Sequence, residues 1–251
     1  MTIKPHILQI SSFDKIYLLK CSLHALEMFG KTNFFSTIII NSMDSFNNFD
    51  KNIFKNSEVI LDKANYKDHP TTRWFVTPKS EVCLFLDNDI FACRDISPLI
   101  QLCHSTQTVC GVLALDAPFD ENQCDQFKLI FEKCGVEYHE SRKSFLEKNI
   151  PIYYNYGVLA IPSKFMEKIK VPLTENVKKI NNFYPHFHAG QMALSITLKQ
   201  LNIPTTDLPL RYNFYDMYPE ILTKKYEYEY KNVVFKHFII AKKTKIKVPF
   251  I

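Results

Sequence analysis

The chain has 251 residues, of which 46% are hydrophobic and 23% are charged, so it can bury one sizeable core and long disorder is excluded. The net charge of +5 is too small to call for nucleic acid, although it suits an anionic substrate or an anionic membrane surface. The seven cysteines form no Cys-x-x-Cys pair and no even framework, which predicts free thiols in a reducing compartment.

The first forty residues predict a strand, a helix and a second strand. The β-rich run His6–Ile10 ends in serines. Residues 14–30 then place apolar side chains at helical spacing, with Asp14 as a capping residue and Gly30 at the end. The apolar run Phe34–Asn41 predicts a buried strand.

The next part of the chain continues this alternation. Ser57–Leu61 predicts a third strand, and residues 72–79 predict a short helix that Pro78 stops. Two further apolar runs, Glu81–Asp87 and Thr108–Asp116, predict buried strands. Continuous apolar strands that alternate with helices indicate an α/β fold with a Rossmann-like, mostly parallel sheet flanked by helices.

The second half of the chain is less regular, and it contains no repeat or linker, so we expect a single domain over residues 1–251. The predicted elements there are a helix over 119–135, a strand over 153–162, an amphipathic helix over 189–202, an extended segment over 205–214 and a last strand over 233–240.

Two aspartates follow the buried strand Glu81–Asp87 directly. Side chains alternate faces along a strand, so Asp87 and Asp89 project together from its carboxyl end or from the turn after it. Open α/β sheets bind ligands at that end. Carboxylates next to apolar residues need a counter-charge, and a pair of them suits a hard divalent cation that in turn neutralises a phosphate.

Three other interpretations of this Asp-x-Asp motif compete with a metal site. Apolar residues on both sides disfavour a pair of solvated loop aspartates. An EF-hand loop is excluded, because Ala92 and Pro98 stand where it needs Gly and Glu. A haloacid-dehalogenase-type phosphatase, with Asp87 as nucleophile and Asp89 as acid/base, stays open. However, strands precede the motif, and no later Asp-Asp pair completes that site.

Five stretches of the chain, in order, resemble nucleotide-sugar glycosyltransferases of the GT-A fold, and most closely glycosyltransferase family 8. Residues 10–26 resemble the first strand, base-binding loop and helix of that family, and residues 72–99 resemble its Arg-containing helix and Asp-x-Asp strand. Residues 153–161 resemble its F-N-A-G-V-L strand. Residues 189–214 resemble its D-Q-D-x-L-N helix and R-x-N strand, and residues 235–243 its H-x-x-G-x-x-K motif.

The resemblance implies a metal site and a nucleotide site. Asp89 would bind Mn²⁺ or Mg²⁺ directly, Asp87 would bind the metal or the ribose, and His237 would be the third protein ligand. An imidazole ligand favours Mn²⁺ over Mg²⁺. The nucleotide-binding residues implied in addition are Ser12 and Asp14 near the base and ribose, Arg73 facing the donor sugar, and Lys243, with Lys242 beside it, at the diphosphate.

The resemblance also implies two catalytic residues, and the chain departs from the family pattern beside each. Asn155 would face the donor sugar, and Gln191 would lie beneath the reacting carbon. Tyr156 stands where the family has a small residue, and Gly190 stands where it has Asp before Gln. In the late motif Ile240 replaces a Gly. Because of these departures, the alternative that this protein is a non-catalytic relative acting as a binding module stays open.

The reaction implied is metal-dependent transfer of a sugar from a nucleotide-diphosphate sugar, with a UDP-sugar favoured, to a glycan or lipid-linked acceptor. Retention is favoured, because the leaving phosphate can take the acceptor proton, whereas inversion would need a general base. The domain would comprise a nucleotide-binding half to about residue 116, and a smaller acceptor-side region over 117–251 that ends in the metal and diphosphate segment.

Features of the sequence also bear on where the protein is located in the cell. The N-terminus does not resemble a signal peptide, and no apolar run reaches the ~18 residues that would suggest a membrane span, so we expect a cytoplasmic protein. The tail over 241–251 is basic and apolar, which suits either a solvated face or peripheral contact with an anionic membrane.

Overall fold

The structure is a computed structural model, and it describes residues 3–11, 15–40, 57–62, 66–114, 124–137, 142–143, 149–150, 153–185, 188–215 and 224–238. No helix within these ranges has the length and apolar character needed to cross a membrane.

The described residues form strands, α-helices and three short 3₁₀ helices. The strands are β1 (His6–Ser11), β2 (Phe35–Ile40), β3 (Ser57–Leu61), β4 (Val82–Asp87), β5 (Ile90–Ala92), β6 (Val109–Leu113), β7 (Arg142–Lys143), β8 (Asn149–Ile150), β9 (Tyr154–Pro162), β10 (Thr205–Asp207), β11 (Phe214–Tyr215) and β12 (Phe235–His237). The α-helices are α1 (Ile16–Phe29), α2 (Ser97–Thr106), α3 (Cys124–Lys133), α4 (Met166–Phe183), α5 (Ala189–Gln200) and α6 (Glu227–Lys231). The 3₁₀ helices are Tyr66–Phe75, Ser163–Phe165 and Leu210–Tyr212.

A seven-stranded sheet forms the centre of the fold, in the order β10-β6-β9-β4-β1-β2-β3. Neighbouring strands are parallel except at β9, which runs antiparallel to both β4 and β6. The α/β fold and the mostly parallel sheet that the strand pattern predicted are therefore confirmed. The direction of β9 could not be read from its sequence, because a strand buried on both faces is apolar in either direction.

Each face of the large sheet packs against its own hydrophobic cluster. Along β4, Cys83 and Phe85 point into the cluster that also holds buried residues of α4 and α5, whereas Leu84 and Leu86 point into the cluster with buried residues of α1 and α2. Both sets are buried because the sheet is covered on both sides, which explains why this strand is an unbroken apolar run.

A small second sheet, in the order β11-β12-β5, lies directly beyond the end of β4. β5 pairs antiparallel with β12, so that Ile90 lies opposite His237, and β11 pairs parallel with β12. The chain thus leaves the large sheet at Asp87, turns through two residues and enters the small sheet at Ile90. This turn is the part of the fold that positions the site.

Three α-helices of the described residues, α2, α4 and α6, were not predicted from the sequence. In α4 the buried residues Ile169, Leu173, Val177 and Ile180 do recur at helical spacing, but Pro172 lies inside the helix, where it removes one helical hydrogen bond. α2 is short and begins with Ser97 and Pro98, and α6 has only five residues. The helix predicted as amphipathic, α5, is instead buried along most of its length, because it packs against α4, β9 and a 3₁₀ helix.

Candidate functional site

Three side chains from distant parts of the sequence meet at the carboxyl end of β4. Asp87 ends that strand, Asp89 lies in the turn that follows, and His237 ends β12. One ligand atom of each lies within 4.8 Å of the other two. Asp89 and His237 are buried, whereas the Asp87 side chain is 34% exposed. These three residues form a group that could hold a metal ion.

Backbone pairing between β5 and β12 brings His237 to the two aspartates. The amide of Phe238 donates a hydrogen bond to the carbonyl of Asp89 at 2.9 Å, and the amide of Cys93 donates to the carbonyl of Val234 at 2.8 Å. The phenyl rings of Phe91 and Phe238 also meet edge to face, with centroids 5.0 Å apart. The third side chain of the group is therefore held by the small sheet itself.

Hydrogen bonds from β1 and α1 fix the turn from the other side. The hydroxyl of Ser22 in α1 donates to the carbonyl of Ile90 at 2.5 Å, and Gln9 Nε2 in β1 donates to that hydroxyl at 2.9 Å. Asn88, between the two aspartates, donates from its amide to Ser11 Oγ at 3.1 Å. The turn is thus held against the strand whose end the sequence predicts to lie near the nucleotide.

The far side of the His237 ring is held by an asparagine that the sequence analysis did not single out. Asn213 Nδ2 donates to Asn155 Oδ1 at 2.9 Å, so Asn213 Oδ1 is free to accept from His237 Nδ1 at 3.0 Å. We assign a proton to Nδ1 for this reason, so Nε2 is the nitrogen that faces Asp89. Asn213 belongs to the predicted R-x-N stretch. The sequence feature that could have identified it is a polar residue between two aromatic residues, and the structure shows that it is buried.

The chemistry of this group fits a cation. His237 Nε2 lies 3.4 Å from Asp89 Oδ1, and both side chains are more than nine-tenths buried. A lone pair that faces a carboxylate oxygen is repulsive unless a proton or a metal ion lies between them. Two carboxylates and one imidazole are also the kinds of ligand that Mn²⁺ accepts.

Gly157 leaves the space that the His237 ring occupies. A Cβ atom on this glycine would lie 3.0 Å from His237 Cε1 and 2.8 Å from Asn155 Oδ1, closer than real Cβ contacts. The amide of Gly157 also donates to Asn155 Oδ1 at 2.7 Å. A glycine is therefore required here by close approach, and it places the asparagine and histidine rather than touching any ligand itself.

Tyr215 covers the remaining face of the imidazole. Its ring stacks on that of His237 with centroids 4.8 Å apart and planes 23° apart. Burial raises the pKa of Tyr215 well above its ordinary value, and the nearby charges of Asp87 and Asp89 raise it further. The phenol therefore stays protonated and uncharged beside the carboxylates. No pattern in the sequence predicted this contact, because Tyr215 and His237 belong to different strands.

Arg73 supplies positive charge to the exposed aspartate. Its Nη1 lies 3.1 Å from Asp87 Oδ1, and its side chain is only 6% exposed. The guanidinium lies over the rings of Phe85 and Tyr156, at 5.1 Å and 5.8 Å from their centroids. The predicted sugar-binding arginine thus lies against a predicted metal ligand, where it neutralises part of that carboxylate's charge.

The two residues predicted to be catalytic lie in different surroundings. Asn155 is tied through its Oδ1 to Asn213, so in this structure it supports the His237 ring. Gln191 lies in the first turn of α5, where its Nε2 is 3.0 Å from His188 Nδ1.

Tyr156, which replaces a small residue of the family pattern, joins the start of α5 to this region. Its hydroxyl donates to the carbonyl of Gly190 at 2.7 Å. Burial raises the pKa of Tyr156, although neighbouring Arg73 opposes that effect. The two departures from the family pattern, a larger residue in β9 and a glycine in α5, are therefore in contact with each other.

Several predictions fall on parts of the chain that lie outside the described residues. They concern Ser12, Asp14, Ile240, Lys242, Lys243 and the basic tail over 241–251. Their predicted roles in binding the base, ribose, diphosphate or a membrane stay predictions.

Solved structures of glycosyltransferases share this fold across most of the chain. The galactosyltransferase LgtC, in complex with donor and acceptor sugar analogues, matches with a TM-score of 0.62 and 15% identity over 93% of this chain and 87% of its own. Mouse xyloside xylosyltransferase 1 in its apo form matches with a TM-score of 0.61 and 12% identity, over 95% and 99% of the two chains.

A third structure extends this likeness to a longer protein. The glycosyltransferase GlyE of Streptococcus pneumoniae matches with a TM-score of 0.58 and 14% identity, over 94% of this chain and 55% of its own. No family model and no curated protein sequence matches the chain. At these identities the likeness establishes the fold, and it confirms that the chain has the GT-A-like architecture that the sequence resemblance implied.

Proposed function

We propose that this protein is a metal-dependent glycosyltransferase. It moves a sugar from a nucleotide-diphosphate sugar, preferably a UDP-sugar, to a glycan or lipid-linked acceptor. The observation that carries this proposal is the group formed by Asp87, Asp89 and His237 at the carboxyl end of β4, where open α/β sheets bind phosphate-bearing ligands. The fold shared with solved glycosyltransferases supports the same function.

The donor atoms of this group suit Mn²⁺, with Mg²⁺ as the alternative. The two carboxylates suit either ion, and the imidazole nitrogen favours Mn²⁺. When bound, the ion would supply positive charge that stabilises the departing diphosphate. The protein's own contribution is to present the ligands: Asp87 is held by Arg73, and the His237 lone pair is kept available by the bond to Asn213.

The nucleotide is proposed to lie along the ends of β1 and β4. Ile10 of β1 pairs with Asp87 of β4, and Ser11 is hydrogen-bonded to Asn88. Ser12 and Asp14 follow directly and are proposed to bind the base and ribose. Lys243 is proposed to reach the diphosphate from the segment after β12.

The transferred sugar is proposed to lie between Arg73 and the start of α5. Its anomeric carbon loses the bond to the diphosphate oxygen and gains a bond to an acceptor hydroxyl, whose proton leaves. We propose retention of configuration, in which the leaving phosphate accepts that proton and no dedicated general base is required. Gln191 is proposed to lie beneath the reacting carbon, and Asn155 to face the sugar while it supports Asn213.

The remaining proposals concern organisation and location. We propose that residues 1–251 form one domain, with a nucleotide-binding half to about residue 116 and an acceptor-side region over 117–251. We propose a cytoplasmic protein whose basic tail contacts an anionic membrane surface, since each basic residue near such a surface contributes roughly 1 kcal/mol. Loss of sedimentation with phosphatidylserine vesicles on deletion of 241–251 would support that contact, and no binding by the full chain would exclude it.

A screen of UDP-, GDP- and dTDP-sugars with Mn²⁺ tests the function. We expect slow hydrolysis of at least one UDP-sugar and a Mn²⁺-dependent rise in melting temperature with UDP, both lost in Asp89→Ala. Absence of any metal-dependent nucleotide binding would contradict the proposal. Turnover of p-nitrophenyl phosphate that Asp87→Asn abolishes would indicate a phosphatase. Nucleotide-sugar binding without hydrolysis or transfer to any acceptor would indicate a binding module.

A further inference from the structure

Two buried polar atoms beside α5 have no hydrogen-bond partner in the part of the chain that the structure describes. They are the hydroxyl oxygen of Tyr153 and the side-chain carbonyl oxygen of Gln191. Tyr153 is only 2% exposed. A buried hydroxyl without a partner destabilises a fold, so its presence calls for a physical explanation.

The neighbouring residue shows what the chain does when a tyrosine hydroxyl serves the fold alone. Tyr154 is equally buried, and its hydroxyl donates to Asp207 Oδ1 on β10 at 2.6 Å. The two tyrosines are consecutive, yet among the described residues one hydroxyl is paired and the other is not. The difference indicates that the Tyr153 hydroxyl is available to a group outside the described part of the chain.

The two residues that carry these atoms both contact the same histidine, His188. Gln191 Nε2 lies 3.0 Å from His188 Nδ1, so the amide nitrogen is engaged and the amide oxygen is left over. The ring of Tyr153 meets that of His188 edge to face at 6.5 Å, and it packs against Phe127 at 5.6 Å on another side. Packing on two sides holds the phenol ring in a fixed orientation, which favours a specific hydrogen bond over a mobile one.

One chain of contacts connects the surroundings of Gln191 to the metal-binding group. Gly190, adjacent to Gln191, accepts the hydroxyl of Tyr156, whose ring lies beside Arg73 and hence beside Asp87.

Burial raises the pKa of Tyr153 well above its ordinary value, with smaller contributions from Tyr215 and Tyr156. The hydroxyl therefore keeps its proton at physiological pH and can donate a hydrogen bond to a polar ligand.

We propose that the Tyr153 hydroxyl donates a hydrogen bond to a hydroxyl of the transferred sugar, beside the Gln191 carbonyl oxygen that accepts from it. A sugar hydroxyl both accepts and donates, so it complements this donor–acceptor pair. The inference rests on the proposed glycosyltransferase function and adds to it a sugar-binding residue. Tyr153 binds the sugar in this proposal, and it does not take part in the bond-breaking step.

The test compares Tyr153→Phe with the native protein by calorimetric titration in the presence of Mn²⁺. The probes are UDP alone and the UDP-sugar that the native protein hydrolyses, with UDP-galactose, UDP-glucose and UDP-xylose screened first. We expect UDP to bind with unchanged affinity, because it lacks the sugar. We expect the UDP-sugar to bind about 3- to 10-fold more weakly, as loss of one neutral hydrogen bond implies.

Thermal unfolding separates this role from a structural one. Tyr153→Phe should melt at the native temperature or above it, because it removes a buried polar group that has no partner in the fold. The matched variant Tyr154→Phe should melt lower, because it removes the hydrogen bond from the Tyr154 hydroxyl to Asp207 Oδ1, while the ratio of UDP-sugar to UDP affinity stays native.

The outcomes distinguish the inference from the function on which it rests. If the native protein binds UDP-sugar and Tyr153→Phe has the native affinity ratio, the sugar contact is excluded and the glycosyltransferase proposal stands. If Tyr153→Phe melts markedly lower and loses affinity for UDP as well, the hydroxyl is structural and the inference is overturned. If the native protein binds no sugar nucleotide, both proposals are wrong.

Discussion

Two buried histidines, at opposite ends of the large sheet, show how differently the same side chain can be used. His6 opens β1, and its two ring nitrogens are both satisfied within the protein: the amide of Lys79 donates to Nδ1 at 3.1 Å, and Nε2 bonds Thr37 Oγ1 at 2.9 Å. His237 has one nitrogen bound to Asn213, and the other faces a carboxylate. The first network is closed, whereas the second is completed only when a proton or a cation lies between the imidazole and the carboxylate.

The charges around the two histidines differ in the same way. Near His6, Thr37 Oγ1 donates to Glu58, and the Glu58 carboxylate also pairs with Lys79 at 2.7 Å, so the negative and positive charges there balance each other. Near His237 two carboxylates lie close together, and among the described residues Arg73 pairs with Asp87. Burial alone therefore does not mark a ligand histidine; the pair of carboxylates beside it does.

The largest expected effect comes from removing a charge at the open network. Asp89→Asn should lower nucleotide-sugar turnover at least ~100-fold and abolish the Mn²⁺-dependent rise in melting temperature, because it removes a ligand and the charge that attracts the ion. A hydrolysis assay measures the turnover, thermal unfolding with and without Mn²⁺ measures the rise in melting temperature, and isothermal titration with Mn²⁺ and UDP measures the loss of metal binding. Glu58→Gln at the closed network is the control and should bind Mn²⁺ normally. If Asp89→Asn and Glu58→Gln lost Mn²⁺ binding equally, the two histidine networks would not differ in the way proposed.

The next effect concerns the support of His237. Gly157→Ala should weaken Mn²⁺ binding by ~10- to 100-fold, because the added methyl group displaces the imidazole and Asn155. Gly135→Ala offers a comparison at a glycine whose added Cβ would contact nothing within 4 Å, although its φ of 75° makes that change strained too. A Gly157→Ala protein with native metal affinity would show that the ring position is not critical.

The closed network predicts a pH dependence of stability. Burial, aided by Lys79 and opposed by Glu58, lowers the pKa of His6 to about 4, whereas in the unfolded chain His6 would have its ordinary pKa of 6.5. The folded state resists protonation of His6. The contribution of this residue to the free energy of unfolding should therefore be fully present above about pH 6.5 and should be lost as the pH drops towards 4. The whole contribution amounts to about 3 kcal/mol.

Urea unfolding of the native protein and of His6→Gln at pH 7 and pH 4.5 isolates this contribution. Carboxylates titrate in both proteins, so the difference between them reports the histidine. The variant should lose about 2 kcal/mol less than the native protein over this interval. Identical pH dependence in the two proteins would mean that His6 is not the responsible group.

The smallest effect belongs to the ion pair at the edge of the closed network. Lys79→Met should lower the free energy of unfolding by less than about 1 kcal/mol, because both partners are more than 40% exposed and water screens them. Denaturation in low and high salt measures it. A loss above 2 kcal/mol would show that the pair is coupled to His6 more strongly than its exposure suggests.

The sequence predicted those parts of the site that depend on local periodicity. Asp87 and Asp89 were predicted as a pair because side chains alternate along a strand, which is a property of neighbouring residues. His237 required the family resemblance, because nothing in its own neighbourhood identifies a ligand. Asn213 and Tyr215 were missed, since their roles arise only when three separate strands pack together.

The fold, like the site, was predicted where the signal is local and missed elsewhere. The apolar runs gave the strands of the large sheet, since burial on both faces leaves a strong signal. The helix α4 was missed because Pro172 and its many charged residues obscure the buried positions. The strand β5 was missed because its three residues, Ile90–Ala92, continue an apolar pattern that the turn interrupts only briefly.

The pairing of β5 with β12 has a consequence for the order in which the protein becomes competent during synthesis. Asp87 and Asp89 leave the ribosome about 150 residues before His237, and the strand that carries His237 contributes only three residues to the small sheet. The nascent chain can therefore fold its large sheet while only two of the three metal ligands exist. A metal ion held by all three residues would therefore bind last, and by mass action it would stabilise the small sheet after the large sheet has formed.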